Sequence, residues 1–230
     1  FIATTAIDAG IIAQPETVKS YELGFRSMLF DRHMRFNATL FRMDYENLQT
    51  FRVVPTPIGG RVRLTNAESA KIEGIEIETQ TFLDDDWSLT FNYSYLDARY
   101  EKYIFNASLG QDFSGNRMQR APKHTVNAAL QYSHEFDFGR IDARVGYYWR
   151  DSIFFEADNN LIDKQSSEPS LGLLDASIAL TQDRWTVSLW GTNLTDERYR
   201  RSVLNSTGNS QRELWAEPRT LGVRLSYSYE

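Results

Sequence analysis

The sequence predicts an all-β protein, an antiparallel transmembrane β-barrel meander of about nine strands. Three observations predict this fold. First, apolar and polar residues alternate along most of the chain. Second, the connections between the alternating segments are short and long in alternation. Third, Phe, Tyr and Trp make up 13% of the 230 residues. A period of two is the signature of a strand with one apolar face, and aromatic residues are enriched in strands.

The alternation is clearest in "WSLTFNYSY", where Trp87, Leu89, Phe91, Tyr93 and Tyr95 share one face and Ser, Thr or Asn occupies each position between them. It persists over about nine residues, which exceeds the roughly 5–6 residues of an ordinary strand and approaches the 9–11 of a membrane strand. The same pattern predicts strands near residues 17–30, 34–50, 62–82, 87–103, 123–134, 140–155, 171–181, 185–199 and 217–229.

The connections between these strands fall into two classes. The short ones are polar and lie at residues 31–33, 83–86, 134–139 and 181–184. The longer ones carry the Gly, Pro, Asn and Ser and lie near residues 51–61, 104–122, 151–170 and 200–216. Short turns at one end and long loops at the other are typical of outer-membrane barrels, where the turns are periplasmic and the loops extracellular.

The two faces of the strands differ in chemistry. Trp87 and Trp185 follow short turns, and Tyr147 and Trp149 lie at the loop end of their strand, as expected of the two aromatic girdles of a membrane barrel. Charged residues occupy the alternate positions, namely Glu22, Arg26, Glu76, Glu78, Asp142, Arg144 and Arg224. The apolar face is therefore predicted to contact lipid and the polar face an aqueous lumen. The alternative is a soluble barrel with an aromatic core.

The composition excludes several classes. A formal net charge of −6 and a pI of about 5.2 argue against nucleic acid as a partner. The absence of cysteine excludes disulfides and thiolate metal sites. No apolar run of about 18 residues is present, so no transmembrane helix is predicted, and a barrel does not need one.

The odd number of predicted strands suggests that this chain forms part of a larger barrel. Bacterial single-chain barrels have even strand numbers, whereas nine are predicted here. The chain opens "FIATTAIDAG", with neither an initiator Met nor a signal-peptide pattern. We expect residues 1–230 to be the C-terminal portion of a barrel, with residues 1–16 in an extracellular loop and residues 17–229 forming strands.

Five motifs then occur in order: "PETVKSYELGFRS", "NAESAKIEGIEIE", "MQRAPKHTVN", "NLTDERY" and "EPRTLGVRLSY". From about residue 15 to the end, the chain resembles the C-terminal barrel half of TonB-dependent outer-membrane receptors. In the last strand, Leu225, Tyr227 and Tyr229 resemble the signal that the barrel-assembly machinery reads. The sequence departs from that pattern because Glu230 follows the final aromatic residue.

The resemblance implies a barrel of roughly 22 strands filled by an N-terminal plug, in the outer membrane of a Gram-negative bacterium. It implies active import of a scarce ligand, most often a ferric siderophore or another iron chelate, with energy from the inner-membrane TonB complex. Implied partners are that complex, the barrel-assembly machinery, lipid, lipopolysaccharide and the small-molecule chelate. Haem, cobalamin and oligosaccharides are alternative ligands. A passive porin-like or adhesin-like barrel and a barrel enzyme are alternative functions, although no serine–histidine site can be assembled.

Candidate ligand contacts can come only from the long loops. They are the aromatic and basic residues Tyr103, Phe105, Arg117, Arg120, Phe154, Phe155, Arg200, Arg201 and Arg212. Arginine could bind an anionic ferric chelate through charge-assisted bonds, and could equally hold lipopolysaccharide phosphates or pair with Asp and Glu. The histidines His33, His124 and His134 lack ligand spacing, so no metal site is predicted, and neither a catalytic site nor a cofactor is expected.

Overall fold

The structure is a computed structural model, which describes residues 13–56, 59–66, 69–106, 110–160, 166–206 and 210–229. Within that part of the chain no helix is long and apolar enough to cross a membrane. The strands are β1 Thr17–Leu29, β2 Met34–Glu46, β3 Gln49–Thr56, β4 Gly59–Asn66, β5 Ser69–Phe82, β6 Trp87–Lys102, β7 Ile104–Asn106, β8 Gln111–Asp112, β9 His124–Phe136, β10 Gly139–Arg150, β11 Ile153–Phe154, β12 Ser167–Glu168, β13 Leu171–Gln182, β14 Trp185–Thr192, β15 Arg200–Ser206, β16 Ser210–Trp215 and β17 Thr220–Tyr227.

Nine of these strands form one sheet in the order β1-β2-β5-β6-β9-β10-β13-β14-β17. Every neighbouring pair is antiparallel, and in eight pairings the register shifts once, between Ser69 and Ala70 of the β5–β6 pair. The predicted all-β fold and its antiparallel meander are confirmed. The sheet of this chain is open, with β1 and β17 at its two edges.

The long connections contain more regular structure than the sequence suggested. Each holds a separate two-stranded hairpin, formed by β3 and β4, β7 and β8, β11 and β12, or β15 and β16. The prediction of one strand over residues 62–82 was wrong, because β4 and β5 belong to different sheets. Alternation continues through both strands, so the period alone could not reveal the break between them.

The register aligns apolar side chains in rows across the sheet. Leu23 pairs with Leu40, Leu40 with Ile75, and Ile75 with Tyr95. Trp87 and Phe91 lie on the same face, and each is 38% exposed. Large apolar side chains on this face therefore have no protein core to cover them, as predicted from "WSLTFNYSY".

Gly74 provides a close approach within the polar face of the sheet. A Cβ at this position would collide with the carbonyl oxygen of Tyr95 and lie 2.8 Å from the ring of Phe41. The aromatic ring of a neighbouring strand thus covers the glycine, which explains why a small residue interrupts the alternation of "EGIEIE".

The turn end of the apolar face carries paired aromatic rings. The ring centroids of Trp87 and Tyr132 are 4.7 Å apart, and those of Trp185 and Tyr227 are 4.8 Å apart. Such pairs prefer tilted geometry at these distances. They form the aromatic row that was predicted to follow the short turns.

Candidate functional site

The described parts of the three connections after β6, β10 and β14 pack against one another beyond the sheet, and we call this assembly the loop platform. Arg120 donates its backbone N–H to the carbonyl oxygen of Phe154, at 2.8 Å, which joins the first two connections, and Phe155 donates to the carbonyl oxygen of Ser166, at 2.6 Å, within the second. The platform is therefore a folded unit built by residues that are distant in sequence.

An apolar cluster lies where the platform meets β5 and β6. Tyr103 and Phe113 are buried in it, with ring centroids 5.6 Å apart, and Phe105 stacks on Phe113 at 5.0 Å. The other buried members are Ala70, Tyr100 and Ala157. Burial of aromatic surface on this scale is the main favourable term available to a loop in water.

A second cluster joins the last two connections. It consists of Ile153, Phe155 and Val203, and Val203 is 1% exposed. The guanidinium groups of Arg120 and Arg200 lie 5.8 and 6.0 Å from the ring centroid of Phe155. Cation–π attraction at these distances adds to the apolar contact.

Asn159 connects the platform through its side-chain amide. Its Oδ1 accepts a hydrogen bond from the backbone N–H of Arg117, and its Nδ2 donates to the carbonyl oxygen of the same residue, both at 2.8 Å. Asn116 adds a bond from Nδ2 to the carbonyl oxygen of Ala157, at 2.9 Å. Asn159 has a φ of 50°, a left-handed conformation that asparagine tolerates better than most residues.

The Arg117 side chain is engaged within the platform. It donates to the carbonyl oxygens of Ala121 and Ser152, at 3.0 and 2.9 Å, and its guanidinium lies 5.4 Å from the ring centroid of Phe154. One arginine thus ties two loops together through a backbone carbonyl group of each.

Arg200 is the centre of an ion-pair network. It bonds the carboxylates of Glu168, at 2.8 Å, and Glu213, at 2.9 Å, and donates to the carbonyl oxygen of Ser167 at 2.6 Å. The side chains of Arg200 and Glu168 are 15% and 7% exposed. Burial lowers the pKa of the guanidinium, but the bonds to both carboxylates outweigh that effect and raise the pKa above its ordinary value. The guanidinium of Arg200 therefore stays charged.

Asn66 fixes the base of the β3–β4 hairpin. Its Oδ1 accepts from the backbone N–H of Gln14 at 2.8 Å, and its Nδ2 donates to the carbonyl oxygens of Gln14, at 2.9 Å, and Asn47, at 2.5 Å. One side chain thus joins the chain before β1 to both ends of the hairpin. This assigns a physical role to the Asn that opens the motif "NAES".

The candidate ligand residues separate into two groups. Most belong to the platform interior or its contacts: Tyr103 and Phe155 are buried, Arg200 is held by Glu168, and Phe105, Arg117 and Phe154 are partly buried. Arg120, Arg201 and Arg212 are exposed, and Arg120 also donates to the Ser202 hydroxyl at 3.0 Å. Ligand contact by any of the nine stays a prediction.

Sequence reasoning missed Asn159, Glu168 and Asn66. Asn159 lies in "ADNN" and Asn66 at the start of "NAES", and both are residues that bond backbone groups readily. That preference was the only local signal. Glu168 gave none, because its partner Arg200 lies 32 residues away.

The polar face carries interacting charged and amide side chains. Asn37 Nδ2 donates to Glu78 at 3.3 Å, and these residues share a recess with Arg26 and Glu76. Asp142 accepts bonds from the Ser133 hydroxyl, at 2.7 Å, and from Arg140, at 2.9 Å. This face is suited to water and to a polar occupant.

The three histidines have separate surroundings. His33 contacts the carbonyl oxygen of Phe30, His124 the hydroxyl of Tyr93, and His134 the carboxylate of Asp86, at 2.8, 2.9 and 2.8 Å. Within the described ranges, no group of three or more His, Asp or Glu is arranged to hold a metal ion.

β17 presents Leu225 and Tyr227 on the apolar face, and Tyr229 lies two residues beyond the end of that strand, so the predicted strand to residue 229 ends earlier. Leu225 is 64% exposed and Tyr229 is 86% exposed, while Tyr227 lies against Trp185. Recognition of these residues by the assembly machinery stays a prediction.

Comparison with known proteins decides the family. The model of the TonB-dependent receptor-like β-barrel matches residues 3–194. The chain belongs to the TonB-dependent receptor family. It is 27% identical over 221 residues to an uncharacterised TonB-dependent receptor of Haemophilus influenzae, covering 94% of this chain and 58% of that protein. It is 24% identical over 182 residues to the probable TonB-dependent siderophore receptor PiuA of Acinetobacter baumannii, covering 66% of this chain and 24% of that protein.

A solved structure gives the same fold. The ferric yersiniabactin uptake receptor FyuA of Yersinia pestis superposes with a TM-score of 0.76 at 21% identity, over 94% of this chain and 30% of that one. The chain thus spans only part of the TonB-dependent receptors that it matches. Receptors of this family are outer-membrane proteins of Gram-negative bacteria, which confirms the predicted location, and the apolar face of the sheet is the face toward lipid.

Proposed function

We propose that this chain forms the C-terminal part of the barrel of an active importer for a ferric siderophore or another iron chelate. The observation that carries the proposal is the family match over residues 3–194. Similarity to a probable siderophore receptor and to a ferric yersiniabactin receptor supports iron chelates as the substrate class. In this proposal residues 1–16 lie in an extracellular loop, residues 17–229 supply wall strands and loops, and the complete barrel has roughly 22 strands.

The loop platform is the proposed ligand-facing surface. Its interior aromatic residues and Arg200 hold the loops in one arrangement, while Arg201 and Arg212 are exposed and carry the positive charge that an anionic chelate would meet. Prearranged loops lower the ordering cost of binding. Arg120 is a third exposed candidate, although its bond to Ser202 also gives it a structural role.

The further partners follow from the same proposal. The energy-coupling TonB complex would act through a plug and a coupling segment outside this stretch, and the barrel-assembly machinery would read Leu225, Tyr227 and Tyr229. Lipid and lipopolysaccharide would surround the wall. The chelate would be substrate, and no resident cofactor or nucleic-acid partner is proposed.

Uptake of a radioactive iron chelate by cells that carry the full receptor tests the function. We expect accumulation under iron limitation that requires both the receptor and TonB. Accumulation that persists without TonB would instead indicate a passive pore. Failure with a panel of iron chelates, together with TonB-dependent uptake of cobalamin or an oligosaccharide, would overturn the substrate class alone.

Substitution tests the proposed contacts. Arg201→Ala combined with Arg212→Ala should weaken chelate binding by about tenfold, the effect of one or two charge-assisted bonds. Arg32→Ala is the matched control, since Arg32 is an exposed arginine in a turn at the opposite end of the sheet. Equal binding by the parent and the double variant would remove both residues from the ligand site.

A further inference from the structure

Charged side chains occupy the lipid-side face of four neighbouring strands, beyond the apolar rows. Going toward the loops, the row of Leu40 and Ile75 is followed by one with Arg42 and Glu73. The next row is formed entirely by charged residues. The outer charged belt consists of Lys19, Arg42, Asp44, Lys71, Glu73, Asp97 and Arg99.

The belt is confined to β1, β2, β5 and β6. The same face of β9, β10, β13, β14 and β17 carries no Asp, Glu, Lys or Arg along those strands. Their loop-side ends instead present residues such as Tyr147 and Trp149. The charges therefore mark one sector of the wall.

The belt extends along the strands from the headgroup zone of the membrane to the region beyond it. Two residues of a strand span about 7 Å, which becomes roughly 5 Å along the membrane normal for a strand tilted by 35–45°. Along each strand, the positions of the two charged rows therefore lie about 5 and 10 Å closer to the loops than the residue in the row of Leu40 and Ile75. The headgroup zone is roughly 5–8 Å thick on each side of the hydrocarbon. Counted from a hydrocarbon edge at the row of Leu40 and Ile75, the first charged row therefore lies within this zone and the second lies beyond it.

The basic side chains of the belt are accessible. Arg42 pairs with Asp44 at 2.9 Å, Lys71 with Glu73 at 2.7 Å, and Arg99 with Asp97 at 2.7 Å. Each pair lies along a single strand. The side chains of Arg42 and Arg99 are 51% and 45% exposed, and that of Lys71 is 29% exposed. Lys19 is 63% exposed and pairs with Glu46 at 3.4 Å.

Pairs of this kind leave the basic groups free to bond further acceptors. Exposed ion pairs contribute little stability, and a guanidinium can exchange a carboxylate for a phosphate in a bidentate bond. The carboxylates between the basic groups suit hard divalent cations, which take oxygen ligands and can bridge carboxylate to phosphate.

We propose that the outer charged belt binds the phosphate groups of outer-leaflet lipopolysaccharide, with Lys19, Arg42, Lys71 and Arg99 as the direct ligands. A glycolipid headgroup with phosphates and sugars can reach both rows, whereas a phospholipid offers one layer of phosphate nearer the hydrocarbon. The proposal rests on the outer-membrane location and makes the lipid partner specific. It does not depend on which ligand the receptor imports.

The test uses the full receptor isolated from outer membranes in mild detergent. The belt variant carries Lys19→Gln, Arg42→Gln, Lys71→Gln and Arg99→Gln. The matched control carries Arg26→Gln, Arg144→Gln and Arg224→Gln, which remove arginines from the polar face of the same sheet. Heat-modifiable gel mobility checks that each variant has assembled, and lipopolysaccharide phosphate is measured per mole of receptor.

We expect the belt variant to lose most of its co-purified lipopolysaccharide and the control to keep it. Affinity for bisphosphorylated lipid A should fall by about tenfold or more, and dephosphorylated lipid A should bind weakly to both proteins. If the fourfold variant fails to assemble, the double variant Arg42→Gln with Arg99→Gln provides the same test, with a smaller loss of bound lipopolysaccharide.

Equal lipopolysaccharide in parent and belt variant would overturn the proposal, as would an equal loss in the control. Phosphatidylglycerol binding as tightly as phosphorylated lipid A would overturn the choice of glycolipid. A receptor that transports no iron chelate but still loses lipopolysaccharide only in the belt variant would refute the proposed function and leave this inference standing.

Discussion

Large apolar side chains are exposed on the sheet and buried in the loop platform. On interior strands of the sheet, Leu40 is 48% exposed and Val145 is 49% exposed, whereas in the platform Phe113 and Phe155 are 3% and 4% exposed. Apart from Ala129, the buried apolar residues of the described chain lie at or beyond the loop end of the strands. Lipid is the apolar partner of the sheet, while loops in water must supply their own.

Polar groups follow the same division. In the sheet, hydrogen bonds between neighbouring strands pair the backbone N–H and C=O groups. Near Phe91, at the middle of the sheet, the face toward lipid carries no charged side chain. The platform uses side chains such as Asn159 and Arg200 to satisfy backbone and carboxylate groups. The stability of the wall thus depends on apolar side chains facing lipid. The stability of the platform depends on specific buried hydrogen bonds and ion pairs. Single substitutions can test that contrast.

The largest effect is expected from a charge at mid-depth on the wall. Phe91→Arg should block assembly, since a cation facing lipid there costs about 2–4 kcal/mol. Asn92→Arg, one residue along and on the polar face, is the matched control and should assemble. The measurement is the amount of heat-modifiable receptor in the outer membrane. Equal assembly of both variants would show that the assignment of faces is wrong.

A smaller and more local effect is expected from Arg200→Ala. It leaves Glu168 buried without its main cation, which costs about 3 kcal/mol, and the barrel should still assemble. Amide hydrogen exchange should accelerate at residues 166–170 and 200–203 and stay unchanged in β9 and β10. Arg212→Ala is the control, because Arg212 is exposed. Unchanged exchange in the Arg200 variant would contradict the ion-pair network.

Asn159→Ala is expected to loosen the contact between the first two loops by about 1–3 kcal/mol, the cost of leaving buried backbone groups unpaired. Protease sensitivity of residues 110–122 should increase. Asn127→Ala on the exposed polar face supplies the comparison. If both variants resist protease equally, the platform does not depend on the two bonds to Arg117.

The smallest effect is a pH dependence at the start of the platform. The hydroxyl and backbone N–H of Ser114 donate to Asp112 and hold the pKa of that carboxyl below its ordinary value of 3.8. A lowered folded-state pKa contributes stability that is present above the unfolded value and is lost as the pH falls through the lowered one. Exchange near Ser114 should therefore rise only in acid below about pH 4. Asp112→Asn should abolish that step; a step that persists would assign it elsewhere.

The sequence was sufficient for the wall because a strand's period and the facing of Trp87 or Leu225 are local properties. It was insufficient for the hairpins, since alternation in β4 and β5 looks continuous and pairing depends on distant residues. The same limit applied to the candidate site. Aromatic and basic loop residues could be named, but burial of Tyr103 and pairing of Arg200 with Glu168 arise only when three connections meet.

The open sheet has a practical consequence for biochemistry. Its edge strands β1 and β17 each have one neighbour among the described strands. An unpaired edge costs several kcal/mol per backbone group in hydrocarbon, and in water it is a template for another strand. Residues 13–229 expressed alone should therefore stack edge to edge into ribbons, and a refolding study of this piece would measure self-association. Spectroscopy and crystallisation are therefore expected to need the full barrel that we propose.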